Sequence, residues 1–425
     1  MLPPATRLQP RSYRAFRCIG ADCEDTCCIG WAVNVDRPTY ETYQRCDDPE
    51  LGASLRQLVT INAGNNGDDN YARITLSGAG CPFLCEGLCS IQKKLGVQYL
   101  SKMCAFYPRV MNLVDDVLQC SLHLSCPEAA RLILLDPSPI AFDEVPHQQQ
   151  DGSRLGNLAV LDTSSTKYTD KPYQYYREVR SLVISILQTR RCALWQRLVI
   201  LGSLCDQLNE TAAAGHHHQT SEVVEGYRDA VTRGLFDESL GQLCAQPAAQ
   251  LETSVELIVG RIGSDYTSPR FLECYKEFMD GLEWTAESTM EDLGLRYAKA
   301  HAQYYAPFMS QHEYMLEHYL VNYAHGSLFP FGPQESTQNL GVLHIVNSIS
   351  KQYMLMAVCY ATIKTVLIGM SGFHKGEFGV AHVIKLVQSC AKTFEHSVAF
   401  PARAFEILSN HGLKNCVSMA MLLQN

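Results

Sequence analysis

Cysteine is the residue type in this sequence best able to do chemistry. There are 18, and eleven fall within residues 1–126. One cluster reads Cys18-Ile-Gly-Ala-Asp-Cys23-Glu-Asp-Thr-Cys27-Cys28-Ile-Gly-Trp31. A second reads Cys81-Pro-Phe-Leu-Cys85-Glu-Gly-Leu-Cys89, with Cys104 following, and Cys120 and Cys126 close the series. Thiols three to five residues apart in Gly- and Pro-containing turns can converge on one centre, with backbone amides of the same turns donating to sulfur and tuning a metal. Structural zinc sites use paired CxxC knuckles or cysteine–histidine sets, and neither pattern is present. Iron–sulfur clusters accept thiolates at varied spacings, and an all-thiolate donor set favours them over zinc. The other seven cysteines (Cys192, Cys205, Cys244, Cys274, Cys359, Cys390 and Cys416) stand singly in helical surroundings and read as small core hydrophobes.

Composition excludes several classes. A net charge of −9 and a pI near 5.9 argue against a dedicated nucleic-acid binder, which needs a basic surface. With 46% hydrophobic and 19% charged residues the chain can bury a large core, so global disorder is excluded. The longest apolar run, Tyr353–Ile363, stops at Lys364 and is short of the roughly 20 residues a membrane span needs. The first residues carry four arginines and no apolar segment of the secretory kind, so a cytoplasmic location is expected, where thiols stay reduced and cysteine-rich segments favour metal or redox chemistry.

The elements that must position these residues divide the chain in three: a cysteine-rich metal-binding part over 1–135, a Pro- and Ser-rich linker over 136–172, and an all-α part over 173–425. The expected fold class is therefore mainly α, with short strands confined to the N-terminal part. There, Trp31–Asp36 and Ala72–Leu76 read as strands and Pro38–Arg45 as a helix capped near Asp36. Beyond the linker, Val179, Leu182, Val183, Ile186 and Leu187 trace an amphipathic helix, and Leu194–Leu208 reads as a more buried one. Further helices are predicted over Ser221–Arg233, Pro247–Ile262, Pro269–Leu282, Met290–Ala306, Gln311–Ala324, Leu340–Ile368, Val380–Ser397 and Ala402–Leu423, the last broken at Asn410-His411-Gly412. The run His216-His217-His218 reads as a solvated loop. His301, His312, His318 and His325 read as core or surface residues without an HExxH pattern, and the tyrosines between Tyr304 and Tyr323 as packing. There is no P-loop and no GxGxxG after a strand. A radical-SAM loop, C-x3-C-x2-C, fails at its third position: Gly30 follows Cys23 and Cys27, and Leu88 follows Cys81 and Cys85.

With these residues in place, the sequence resembles a known family. FRCIGADCEDTCCIGWAVNVDRPTYETY, CPFL followed by GLCSIQKKLG, Cys104 before YPR, and LSCPEAARL are similar to the bacterial flagellin lysine-N-methylase (FliB) family. So are YYAPFMSQHEYMLEHYLVNYAHGSLFPFG and HSVAFPARAFEILSNHG, so the resemblance spans nearly the whole chain. The cysteine segments also resemble a wider group of small iron- or zinc-chelating proteins. The resemblance implies methyl transfer from S-adenosylmethionine to lysine ε-amines of flagellin, in a cytoplasmic protein with an iron–sulfur cluster, 4Fe–4S by expectation. Carried over residue by residue, its metal positions are Cys18, Cys23, Cys27, Cys28, Cys81, Cys89, Cys104 and Cys126. Cys85 and Cys120 are not carried over, and Met103 stands where the family pattern has Thr.

Methyl transfer to an amine needs an uncharged lysine in line with the sulfonium carbon. Asp25, Asp36, Tyr40 and Tyr107 are the candidate bases or orienting groups, and the donor is expected beside the cysteine-rich site because no glycine loop is present. The competing readings are a metal-chelating module and a flagellin-binding adaptor that lacks turnover.

Overall fold

The computed structural model describes residues 6–424, except 32, 65–66, 79, 148–158, 166–170, 263–265, 334–344 and 347. Among the described residues ten short strands lie before Tyr176, and helices dominate from there onward. In chain order the strands are β1 (Thr6–Pro10), β2 (Asn34–Val35), β3 (Val59–Ile61), β4 (Ala72–Ile74), β5 (Leu84–Cys85), β6 (Leu88–Cys89), β7 (Arg109–Val114), β8 (Val117–Leu122), β9 (Phe142–Pro146) and β10 (Ala159–Leu161).

Two units share the N-terminal part. A small one is built on the antiparallel sheet β2-β4-β3, with helices Arg37–Gln44, Gly52–Leu58 and Ser90–Leu95 around it. Its core contains Val35, Tyr43, Leu55, Ala72, Phe83 and Ile91, and Cys81 is buried among them while Cys28, Cys89 and Cys104 pack against its edge. Asp36 caps its first helix, accepting from the Thr39 amide at 3.3 Å, with Pro at the start of the helix, so the local chemistry read from the sequence is the chemistry used.

The larger unit is a five-stranded sheet ordered β10-β7-β8-β1-β9. Its centre is a hairpin: β7 and β8 pair antiparallel from Arg109↔Leu122 to Val114↔Val117, closed by Asp115 and Asp116. β1 lies parallel to β8 and antiparallel to β9. The segment expected to be a plain linker thus supplies both edge strands, β9 and β10. Both are short and neither alternates apolar with polar residues, so a periodicity reading passes over them. Residues 148–158 and 166–170 of that segment lie outside the described residues.

The helical part is organised around Ile349–His374, 26 residues long and buried along nearly its whole length. The helix is long and apolar enough by length and composition to cross a membrane, yet 94% of its apolar window is inside the protein. The apolar run read from the sequence was shorter because it ended at Lys364, which is only 4% exposed and donates from Nζ to the Leu423 carbonyl at 3.0 Å. Burial on all faces makes this a core helix. Against it packs Pro269–Gly281 at very close range: a Cβ on Gly281 would meet the Gly369 carbonyl oxygen at 1.9 Å, so glycine is needed where the two backbones touch. Glu317, 1% exposed, is flanked by Arg190 at 2.8 Å and Arg197 at 2.7 Å, which compensates an otherwise costly buried carboxylate.

Helices predicted over Pro247–Ile262, Ser221–Arg233 and Pro269–Leu282 are found at Pro247–Ile262, Thr220–Arg233 and Pro269–Gly281. Two predicted single helices are interrupted by π-helical turns, His301–Tyr305 and Ala391–Glu395. Residues 340–344 and 347 of the predicted Leu340–Ile368 helix lie outside the described residues. His318 and His325 serve packing: their rings contact the carbonyls of Ile133 and Cys120 at 3.0 Å each, tying helix Tyr314–Gly326 to the N-terminal part.

Candidate metal centre and its docking face

Three chain segments bring five thiols together. The loop carrying Cys27 and Cys28 is joined to the second cluster by the Cys81 amide, which donates to the Cys28 carbonyl at 2.8 Å, and by an Ile29↔Gly80 bridge. Cys89 ends the β5–β6 hairpin, whose two-residue turn has Glu86 and Gly87 at positive φ. Cys104 sits on helix Lys102–Phe106, capped by Ser101 accepting from the Cys104 amide at 3.3 Å.

The electrostatics within this set are those of sulfurs in direct contact. Hydrogen bonds to both Cys27 and Cys89 hold the Cys28 thiol far above its usual range. The same bonds work in the opposite direction on the partners, lowering Cys27 to about 7 and Cys89 to about 6. Backbone amides of Gln92 and Ile91 lower Cys89 further, and the Lys392 ammonium lowers Cys27. Cys104 is pushed up to about 12 by burial and by the neighbouring Cys27, Cys89 and Cys81 sulfurs. Burial also raises Cys81. Stacking thiolates raises their mutual repulsion, and a bound cation relieves it.

Cys18, Cys23 and Cys126 form a separate neighbourhood. Burial raises Cys126 to about 11, with Cys23 and Cys18 adding to the rise, and Cys23 is raised by burial with Cys18 among its neighbours. Cys85 is exposed on the hairpin, and Cys120 is buried in the core under the five-stranded sheet beside Tyr13 and Phe16. The eight positions implied by the family resemblance are therefore divided five and three.

Among the described residues, no group of three His, Cys, Asp or Glu side chains is arranged to hold a metal ion. The donor chemistry nevertheless suits a thiolate-bound polynuclear centre. Cys28 bridges two sulfurs of depressed pKa, two more sulfurs lie within electrostatic reach, and a polynuclear cluster spreads its thiolates around its own body rather than to a point.

The cysteine loop is clamped to the helical part. Lys392, 7% exposed, reaches Asp25 Oδ1 at 2.8 Å and the Thr26 carbonyl at 2.7 Å. Gln388 donates from Nε2 to Asp25 Oδ2 and to the Ser125 carbonyl, both at 2.8 Å. Arg270 donates to the Glu24 carbonyl at 3.3 Å, and within the N-terminal part Arg131 pairs with the Glu24 carboxylate at 2.6 Å. Gly30, with φ +94°, lies under Tyr266, whose ring would be 2.5 Å from an added Cβ. A surface ion pair contributes at most about 1 kcal/mol. In the Lys392–Asp25 pair the lysine is buried and Asp25 nearly so, so removing one partner costs up to about 3 kcal/mol and this pair dominates the docking.

Of the candidate bases, Asp25 is thus committed to Lys392 and Gln388. Asp36 is committed to its helix cap and to the Lys102 amide at 2.9 Å. Tyr40 packs edge-on against Tyr71. Tyr107 alone is placed between the two thiol neighbourhoods, within electrostatic reach of Cys126, Cys27 and Asp25. Sequence reasoning missed Lys392, Gln388, Ser125 and His396. All four gain their role from contacts across more than 250 residues, apart from Ser125 with Tyr107, and only the Asp-Thr-Cys-Cys loop carried a local signal.

Comparison with known proteins gives a consistent picture. The model of the FliB lysine N-methylase C-terminal domain matches residues 180–422, more than half of the chain and wholly within the helical part. Two curated proteins named lysine-N-methylase, from Salmonella typhimurium and Salmonella choleraesuis, are each 32% identical over 146 residues, 34% of this chain and 36% of theirs. A flagellar biosynthetic protein, FliU of Salmonella muenchen, is 31% identical over 140 residues, which is 33% of this chain and 83% of that protein. The chain thus spans little more than a third of the length of the two curated lysine-N-methylases that it matches. No solved structure matches.

Proposed function

Since the chain belongs to the FliB lysine N-methylase family, we propose that it transfers methyl groups from S-adenosylmethionine to lysine ε-amines of flagellin, with an iron–sulfur cluster held by its N-terminal thiols. The observation that carries this reading is the clamp between Lys392 and the cysteine loop. It joins the helical part, which bears the family match, to the place where five thiols gather.

Cys27, Cys28, Cys81, Cys89 and Cys104 are the residues that would hold the cluster. With three of them bound, the cluster would supply an iron free of thiolate and able to anchor the amino and carboxylate groups of the donor. The protein's own contribution is positional. Lys392 and Gln388 fix the loop, Trp31 donates from Nε1 to the Cys27 carbonyl at 2.5 Å, and the Trp31 ring stacks on Tyr107 with centroids 5.8 Å apart. An aromatic wall beside the thiols suits a long aliphatic amine, whose stem packs on the rings while its nitrogen meets polar atoms.

The test is an anaerobic assay with labelled S-adenosylmethionine and purified flagellin, read by mass spectrometry. Label on flagellin lysines is the expected result. Tight flagellin binding without label would favour the adaptor reading, and retained metal with neither would favour the chelating module.

A further inference from the structure

A hydrogen-bonded chain runs from Tyr107, which stacks on Trp31 of the cysteine loop, to the helical part. The Tyr107 hydroxyl lies 3.0 Å from Ser125 Oγ, and Ser125 Oγ lies 2.8 Å from His396 Nε2. Ser125 is 3% exposed, and its carbonyl is held by Gln388, so its hydroxyl has little freedom beyond rotation. Tyr107 is half-buried and His396 exposed, so the chain reaches from the interior to the surface. His396 follows directly on the π-helical turn Ala391–Glu395, which also places Lys392 on the cysteine loop. Such turns recur at functional sites.

From this geometry we infer that Tyr107 is the acceptor that orients the incoming lysine amine, with Ser125 and His396 as positioning residues. The inference rests on the methylase reading above. In this arrangement His396 carries its ring proton on Nδ1, so Nε2 accepts from the Ser125 hydroxyl and Ser125 Oγ accepts from the Tyr107 hydroxyl. The donor of every link then points toward His396, and the Tyr107 oxygen keeps its lone pairs for a further donor. A lysine ε-amine bonded there through N–H is held with its own lone pair free to aim at the methyl carbon. Trp31, pinned to the Cys27 carbonyl, fixes the Tyr107 ring by stacking. In the transfer step the nitrogen–methyl bond forms as the sulfonium–methyl bond breaks. The amine lone pair makes the new bond, the sulfur keeps the old pair, and the surplus proton leaves to solvent.

The test is steady-state methylation of flagellin by the full chain and its variants. Tyr107→Phe keeps the ring and the stack and should lower kcat by about a hundredfold or more, with KM for flagellin and for the donor, and the iron content, unchanged. Ser125→Ala should lower kcat by about tenfold, and Ser125→Thr, which keeps the hydroxyl, should recover most of it. Wild-type turnover in Tyr107→Phe overturns the proposal alone. A fall carried by KM, or by lost iron, makes Tyr107 structural and also overturns it. A wild-type protein that leaves flagellin lysines unmethylated overturns the methylase reading, and the proposal with it.

Discussion

The thiols of the N-terminal loops and those of the helical core differ in their neighbours: only in the loops do sulfurs hydrogen-bond one another, and only there are any of them lowered. In the core, Cys205, Cys274, Cys359, Cys390 and Cys416 stand deep in the helix packing, and burial is the first cause raising each of them, Cys274 to about 12. In the loops, Cys27 and Cys89 share hydrogen bonds with Cys28, and both are lowered. Burial alone turns a thiol into a small hydrophobe. Contact with other thiols and with backbone amides turns it into a ligand-grade thiolate. Cysteine density along the chain thus coincides with the set whose thiols contact one another.

The contrast is broken most severely by Cys28→Ser. Loss of the bridging sulfur should abolish retained iron and methylation while leaving the helical core folded, as read by metal analysis and far-UV circular dichroism. Next in size is Lys392→Met, which leaves Asp25 buried without its cation. It should destabilise the docking of the loop by up to about 3 kcal/mol, seen as faster proteolysis of residues 18–31 with little change in the melting of the helical part.

A smaller effect is expected inside the core. Burial lowers Lys364 to about 7, so the folded state holds fewer protons there than the unfolded chain between pH 7 and about 10. The resulting penalty is fully present below pH 7 and fades as pH rises toward about 10. Lys364→Met should thus raise stability by roughly 2 kcal/mol at pH 6, with the gain shrinking above pH 7 in denaturant titrations. Least affected should be Cys274→Ala, which loses about 1 kcal/mol of packing and keeps full iron and activity. A core cysteine whose removal cost the metal would erase the distinction between the two regions.

Much of this architecture was legible in the residues. The helices Pro247–Ile262 and Tyr176–Leu187 follow from apolar spacing, and the Asp36 cap followed from a local motif. The hairpin Arg109–Leu122 was not read, although its β-branched residues around Asp115-Asp116 were a usable signal. The edge strands Phe142–Pro146 and Ala159–Leu161 carried none, because each is defined by a distant neighbour in the sheet rather than by its own pattern. In the site, the spacing of Cys27, Cys28, Cys81 and Cys89 announced that thiols would gather. The clamp by Lys392 and the chain from Tyr107 through Ser125 to His396 join positions hundreds of residues apart, and no single-chain periodicity encodes such contacts.

The central claim is that the loop thiols hold an iron–sulfur centre, and iron, sulfide and zinc analysis of anaerobically purified protein tests it most directly. About four iron and four sulfide per chain are predicted, with visible absorption that is lost in Cys28→Ser. Zinc without sulfide, or no metal at all, would contradict it.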